Sequence, residues 1–443
     1  MKIIKKAIKY IRNQLFFSGN NFFQFLFIIS ILFLISEMYL NTGTLSAYAV
    51  TLENPMVIDG HIVNYDYVHH ECNYNFIIGS DPETWSNGWV LRRELFFIVA
   101  FPFFKLFGFY FGGIIAAFSI TIFSYFVFIK FIFKTFGIQQ AYVGMALFVA
   151  YPGIMYWIGS PFAQTMIVPC SCLIYILMWK INESLILKKQ LMYLSIIAIL
   201  FTAYDLFVFF YPAILLIFFT KRQWIALFCS LPIMLLPQIL IVFWLKSKGV
   251  DQLNDRNSGV YAIIINSYIH PGDLAIWWNS IKQVPNILIH NFINSNFLFL
   301  PSLFLILTPW AFVKKFQMNR IEIFVLLSAL LVFLFNNFAP PYTAEFSMQG
   351  KWIARIYQPI FVILIMFIVR FSVVAFNSSK ISKRIFISLI CLCFIGNSII
   401  NFGGCFKSRF TQWAWFSFYQ HSFPSTMINN LNKYGAKPIG FDK

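Results

Sequence analysis

Apolar runs long enough to cross a bilayer recur from about residue 22 to residue 402, and no water-soluble core can absorb so many. A hydrocarbon layer takes about 20 predominantly apolar residues of helix. Eleven such stretches are read here, at 22–40, 109–130, 141–159, 163–180, 191–204, 206–220, 224–245, 297–313, 321–338, 353–373 and 385–402. The fifth and sixth are short and close into a tight hairpin. Composition agrees: 59% of residues are hydrophobic and 11% charged, where a soluble domain carries about 25% charge. The shortage of charge excludes a disordered chain, and the long unbroken runs exclude the alternating strands of a membrane β-barrel. The expected fold is an all-α polytopic membrane protein of about eleven transmembrane helices, one bundle using the whole chain.

A net charge of +17 invites a nucleic-acid partner, but its distribution points elsewhere. Lys2, Lys5, Lys6, Lys9 and Arg12 precede the first apolar run, and basic residues beside a span stay in the cytoplasm. The N-terminus is therefore expected inside. Alternation then assigns nineteen of the 33 basic residues to the cytoplasmic side with only two of the 16 acids, Glu183 and Glu322. Arg370 and the Lys383-Arg384 pair fall among those nineteen. The outer side is left with fourteen of each sign, so the excess charge is explained by topology and no nucleic acid is expected. An odd number of spans puts the C-terminus outside. The first span is read as an uncleaved anchor, since its apolar run is longer than the core of a signal peptide.

Cytoplasmic connections are short and basic, whereas the outer side carries loops at 41–92 and 247–296, a shorter one at 339–352 and a tail from 403. Long loops are where binding and catalytic groups gather. Loop 41–92 holds Asp59, Asp66, His69 and His70, and the Arg92-Arg93 pair stands at its end. The following segment 95–108 is apolar but too short to cross, with Pro102 and Lys105 inside it, and is expected to lie along the outer leaflet. No internal repeat or nucleotide-binding glycine motif is present. Three units are delimited: 1–220, 221–402 and an outer tail 403–443.

The order of features over residues 1–220 resembles a known class. Asp66 sits among aromatic and polar residues, followed by Gly79, an Arg beside a Leu-Phe-Phe run with Pro, and Gly108 before the second span. That span ends in Lys130 and Lys134 with Phe136-Gly137, and the next runs into AYPGIMYWIGSPFAQ. This layout is similar to the GT-C type of integral-membrane glycosyltransferase, such as protein O-mannosyltransferases and bacterial lipid A aminoarabinose transferases. The segment GKWIARIYQPIFVIL near 350–364 resembles the late helix of that class, in which an Arg precedes a Pro.

The resemblance implies a polyprenyl-phosphate sugar donor and an acceptor hydroxyl on a glycan, lipid or protein outside the cytoplasm. It also implies an inverting transfer and a bacterial inner membrane as the site of action. A first-loop carboxylate would accept the acceptor's proton, because a hydroxyl attacks well only as its proton leaves. Asp66 is the first candidate and Asp59 the second. Arg92, Arg93, Lys351 and Arg355 are the candidate cradle for the departing lipid phosphate, whose developing charge needs cations. Asp205 at an outer turn and Glu345 are further candidates. His69 and His70 are also noted, but adjacent histidines lack metal-ligand spacing. No metal or other cofactor is assigned, although some members of the class use a divalent cation. Two rival classes are a transporter or flippase of lipid-linked saccharides and an O-antigen polymerase or ligase. The first would want charges inside the bundle, and the second a dominant outer loop late in the chain.

Overall fold

A computed structural model describes residues 21–48, 56–58, 61–63, 95–107, 109–151, 163–247, 299–338 and 358–410. These residues are almost wholly helical. A helix stands at each apolar stretch, beginning with α1 (Asn21–Tyr48), α2 (Leu95–Phe107), α3 (Phe109–Phe136) and α4 (Ile138–Val149). Then follow α5 (Ile167–Glu183), α6 (Leu187–Phe201), α7 (Tyr211–Thr220) and α8 (Trp224–Ser247). The last four are α9 (Phe299–Val313), α10 (Arg320–Phe338), α11 (Gln358–Asn377) and α12 (Lys380–Phe410). Short 3-10 turns at Ala163–Met166 and Asp205–Phe210 lead into α5 and α7. Within the first long connection, strands β1 (Met56–Ile58) and β2 (His61–Val63) pair antiparallel, with Ile58 opposite His61.

Four of the helices are long and apolar enough to cross a membrane: Ile115–Phe136, Trp224–Trp244, Gln358–Asn377 and Lys380–Ile399. The surface supports the same conclusion. Phe228, Leu231, Leu235, Leu236, Ile239 and Phe243 all stand exposed on α8. A soluble monomer rarely shows apolar patches beyond a few hundred Å², and a helix apolar on all sides is either buried or in lipid. The chain is a membrane protein.

Packing centres on α11, whose membrane-length window is 72% buried against 17% for α8 and 22% for α12. It touches α4, α5, α9, α10 and α12. The centre is filled by fully buried side chains such as Phe128, Phe148, Ile365 and Ile368. Gly144 on α4 allows close approach, since a Cβ there would lie 2.7 Å from Cδ1 of Ile132. The end of α1 away from its long connection is joined to the bundle by Phe23, whose ring lies 5.3 Å from Phe133 and 5.2 Å from Tyr142.

Several boundaries differ from the sequence reading. The helix expected over 141–159 stops at Val149, with Tyr151 just before Pro152; a residue preceding proline is pushed out of the helical region. By contrast, α1 continues to Tyr48 and α12 to Phe410, beyond the expected ends at 40 and 402. Nothing in either extension is a proline, and loss of apolar character alone does not break a helix. At 31 residues α12 is about 46 Å long at 1.5 Å per residue, well over the roughly 30 Å of a hydrocarbon core. Segment 95–108 does form a helix, α2, but it is not laid apart from the bundle. Leu95, Phe96, Phe97, Ala100 and Phe104 are buried, and α2 packs on the start of α3 and on the 163–166 turn.

Candidate functional site

The two ends of the bundle are built differently. At one end the helices are joined by short turns: Gly137, residues 184–186, 221–223, 314–319 and 378–379. Gly137 adopts φ +103°, open to glycine at little cost, which lets α4 reverse directly off α3. Basic residues crowd this end, among them Lys134, Lys188, Lys189, Arg222, Lys315, Lys380 and Arg384. Every long connection (49–94, 152–162, 248–298 and 339–357) leaves from the other end.

The short-turn end is locked by polar contacts. Gln190 donates through Nε2 to the Ser184 carbonyl at 2.7 Å and to Oε1 of Gln223 at 2.8 Å, tying two turns together. The Trp179 indole N–H donates to Glu183 at 2.7 Å. Burial draws the Lys221 ammonium below the ordinary lysine value, while the Glu183 carboxylate pulls it the other way.

The principal constellation at this end joins α10 to α11. Asn319-Arg-Ile-Glu322 opens α10, and Glu322 Oε2 accepts the Asn319 backbone N–H at 2.7 Å. This is half of a capping box, which satisfies a helix-terminal donor. The other carboxylate oxygen of Glu322, a residue 1% exposed, accepts the Nε–H of Arg370 from α11. The Arg370 guanidinium lies 5.3 Å from the Phe136 ring centroid and 5.5 Å from that of Phe316. Cation, carboxylate and two aromatic faces thus satisfy one another largely out of water, the Arg370 side chain being 16% exposed. From sequence alone Glu322 and Arg370 read only as topological charges. An Asn three residues before a Glu at the head of an apolar run, and an Arg inside another, were the available signals.

At the opposite end, several polar side chains are buried near helix ends. Tyr151 ends the α4 segment with its ring centroid 5.2 Å from that of Phe361, one turn into α11. Gln358 at the head of α11, Thr165 in the turn before α5 and Tyr204 before the second 3-10 turn are also buried. Asp205 starts that turn, directly after Tyr204, and its side chain lies outside what is described.

Asp66, Asp59, His69, His70, Arg92, Arg93, Glu345, Lys351 and Arg355 lie outside the described residues. Chain connectivity still relates some of them to elements. Arg92 and Arg93 precede α2 by three and two residues, Arg355 precedes α11 by three, and Asp59-Gly60 separates the paired strands. Among the described residues there is no group of three or more His, Cys, Asp or Glu side chains able to hold a metal ion. Compared with protein-family models, with curated proteins and with solved structures, the chain matches none.

Proposed function

We propose that this chain is a glycosyltransferase of the GT-C type, an eleven-span bundle in a bacterial inner membrane with its active face extracytoplasmic. It moves a sugar from a polyprenyl-phosphate donor to a hydroxyl of a glycan, lipid or protein. The observation that supports the reading is the division between the two ends of the bundle. Basic, tightly turned connections collect at one end, and all the long connections at the other. Since basic residues are retained in the cytoplasm, the long-connection end is read as the outer one. All ten candidate residues belong to connections or turns of that end.

In the proposed reaction Asp66, or Asp59 in its place, accepts the acceptor's proton as its oxygen attacks the anomeric carbon. The bond from that carbon to the phosphate oxygen breaks on the opposite face, which inverts the centre. Arg92, Arg93, Lys351 and Arg355 hold the phosphate as it gains charge. A positioned general base contributes about 10²–10⁴-fold. Asp66→Asn is therefore expected to lower transfer at least about 100-fold in membranes supplied with donor lipid, at unchanged protein level. Full activity in that variant would move the role to Asp59, and full activity in both would remove the mechanism.

A transporter of lipid-linked saccharides is the rival that one observation favours, namely the ion pair Glu322–Arg370 inside the bundle. That pair sits at the short-turn end and is closed off by aromatic rings, as a packing bolt would be. Transfer by purified protein in detergent, with no sealed compartment, separates the two readings. A process seen only across intact vesicles would favour transport.

A further inference from the structure

A groove of about 290 Å³ opens between α4 and α12 at the short-turn end, remote from the long connections. One wall is Gln139 and Tyr142 from the first turns of α4; the other is Lys383, Phe386, Ile387 and Cys391 along α12. Its lining is mainly apolar, and the Gln139 amide and the Lys383 ammonium come from the first turns of their helices. From Lys383 to Cys391 the α12 wall runs about 12 Å along the helix axis at 1.5 Å per residue. The flanking helix α12 is of membrane-crossing length and composition, and Ile387 and Cys391 are exposed on its surface. A groove open beside such a helix faces the lipid that surrounds it in a membrane.

Charge decides which lipid. The Lys383 ammonium rests 5.3 Å from the Phe376 ring centroid and has no carboxylate partner among the described residues. Lys380 and Arg384 stand exposed on the same first turn of α12. Neither α4, α11 nor α12 contains a single Asp or Glu, so the walls offer nothing to offset these cations. Basic pockets between transmembrane helices take anionic headgroups, each Lys or Arg contributing about 1 kcal/mol.

We propose that this groove is a binding site for an anionic glycerophospholipid, its phosphate on Lys383 and Gln139 and one acyl chain lying along α12 against Tyr142, Ile387 and Cys391. The site stands apart from the transferase reading, whose donor lipid belongs to the other end of the bundle.

The test uses the full chain purified in mild detergent, with phosphatidylglycerol carrying a photoreactive diazirine within one acyl chain. After irradiation and digestion, adducts are expected on the peptides bearing Tyr142 and Ile387–Cys391. Excess unlabelled phosphatidylglycerol is expected to displace the label, and equal phosphatidylcholine to leave it. Lys383→Gln should lower adduct yield about fivefold, the loss of one headgroup cation, while Lys383→Arg preserves it. Ile387→Trp, which fills the groove and leaves the cation, should abolish the adduct. Equal displacement by phosphatidylcholine would overturn the proposal, as would adducts confined to other helices. Stronger displacement by polyprenyl phosphate would overturn it too, assigning the groove to the carrier lipid. The competition arms use the wild-type chain, so they stand even where a variant fails to fold.

Discussion

Arg370 lies within an apolar helix and is held from several sides: a carboxylate from α10 and two phenylalanine rings, one just before Gly137 and one in the 314–319 turn. Its value to the fold lies in the pairing, since a charge left alone in such surroundings is heavily penalised. Breaking a buried pair from one side typically costs about 3–5 kcal/mol. Arg370→Met is therefore expected to lower thermal stability in detergent sharply. Glu322→Gln keeps the capping acceptor of α10 and should recover part of that loss when combined with Arg370→Met. A double-mutant cycle by thermal denaturation measures the coupling, and additive effects would show that the pair is not one unit. The partnership itself was not legible in the chain. Glu322 could be recognised as a helix-capping residue from Asn319-Arg-Ile-Glu322, and Arg370 as an unusual charge in an apolar run. Forty-eight residues separate them, and only the packing of α10 on α11 brings them together.

Among the elements, α2 crosses α3 at backbone contact. A Cβ on Gly112 would lie 2.5 Å from the Phe103 carbonyl oxygen and 2.8 Å from Phe104 Cα, both backbone atoms that cannot turn aside. At Gly144 the obstacle is Cδ1 of Ile132, the far end of a side chain that can change rotamer. Gly112→Ala is thus expected to destabilise the protein clearly more than Gly144→Ala, read as melting temperature in detergent. The reverse order would mean that α2 is free to lift off the bundle. Element by element, the helices were legible from apolar runs, and their termini were not. Pro152 was a stop signal within an apolar run. The extra turns of α1 and α12 carry no corresponding signal, because a polar helix extending past the apolar layer has little hydropathy to read. The burial of one face of α2 was equally hidden: a helix apolar on all sides does not announce which side meets protein.

For the whole molecule, the difference between the two ends carries a topological expectation. With the native cysteines replaced, a cysteine at Asn64 should react with a membrane-impermeant reagent applied from outside. A cysteine at Ser378, in the turn between α11 and α12, should react only after the membrane is opened. The opposite pattern would reverse the orientation and remove the proposed active face. The expected orientation follows from where Lys and Arg stand relative to apolar runs, a property of order along the chain. The same order determined the membrane class, the positions of the helices and the gathering of acids and histidines in particular connections. Each depends on neighbours in sequence, through the cost of placing charge or open backbone in hydrocarbon. Tertiary structure alone decided that α11 is the hub, that Glu322 meets Arg370, and that α4 and α12 leave a groove lined in part by Lys383. Those outcomes rest on which apolar face packs against which, and in a chain apolar on nearly every face hydropathy makes no distinction between them.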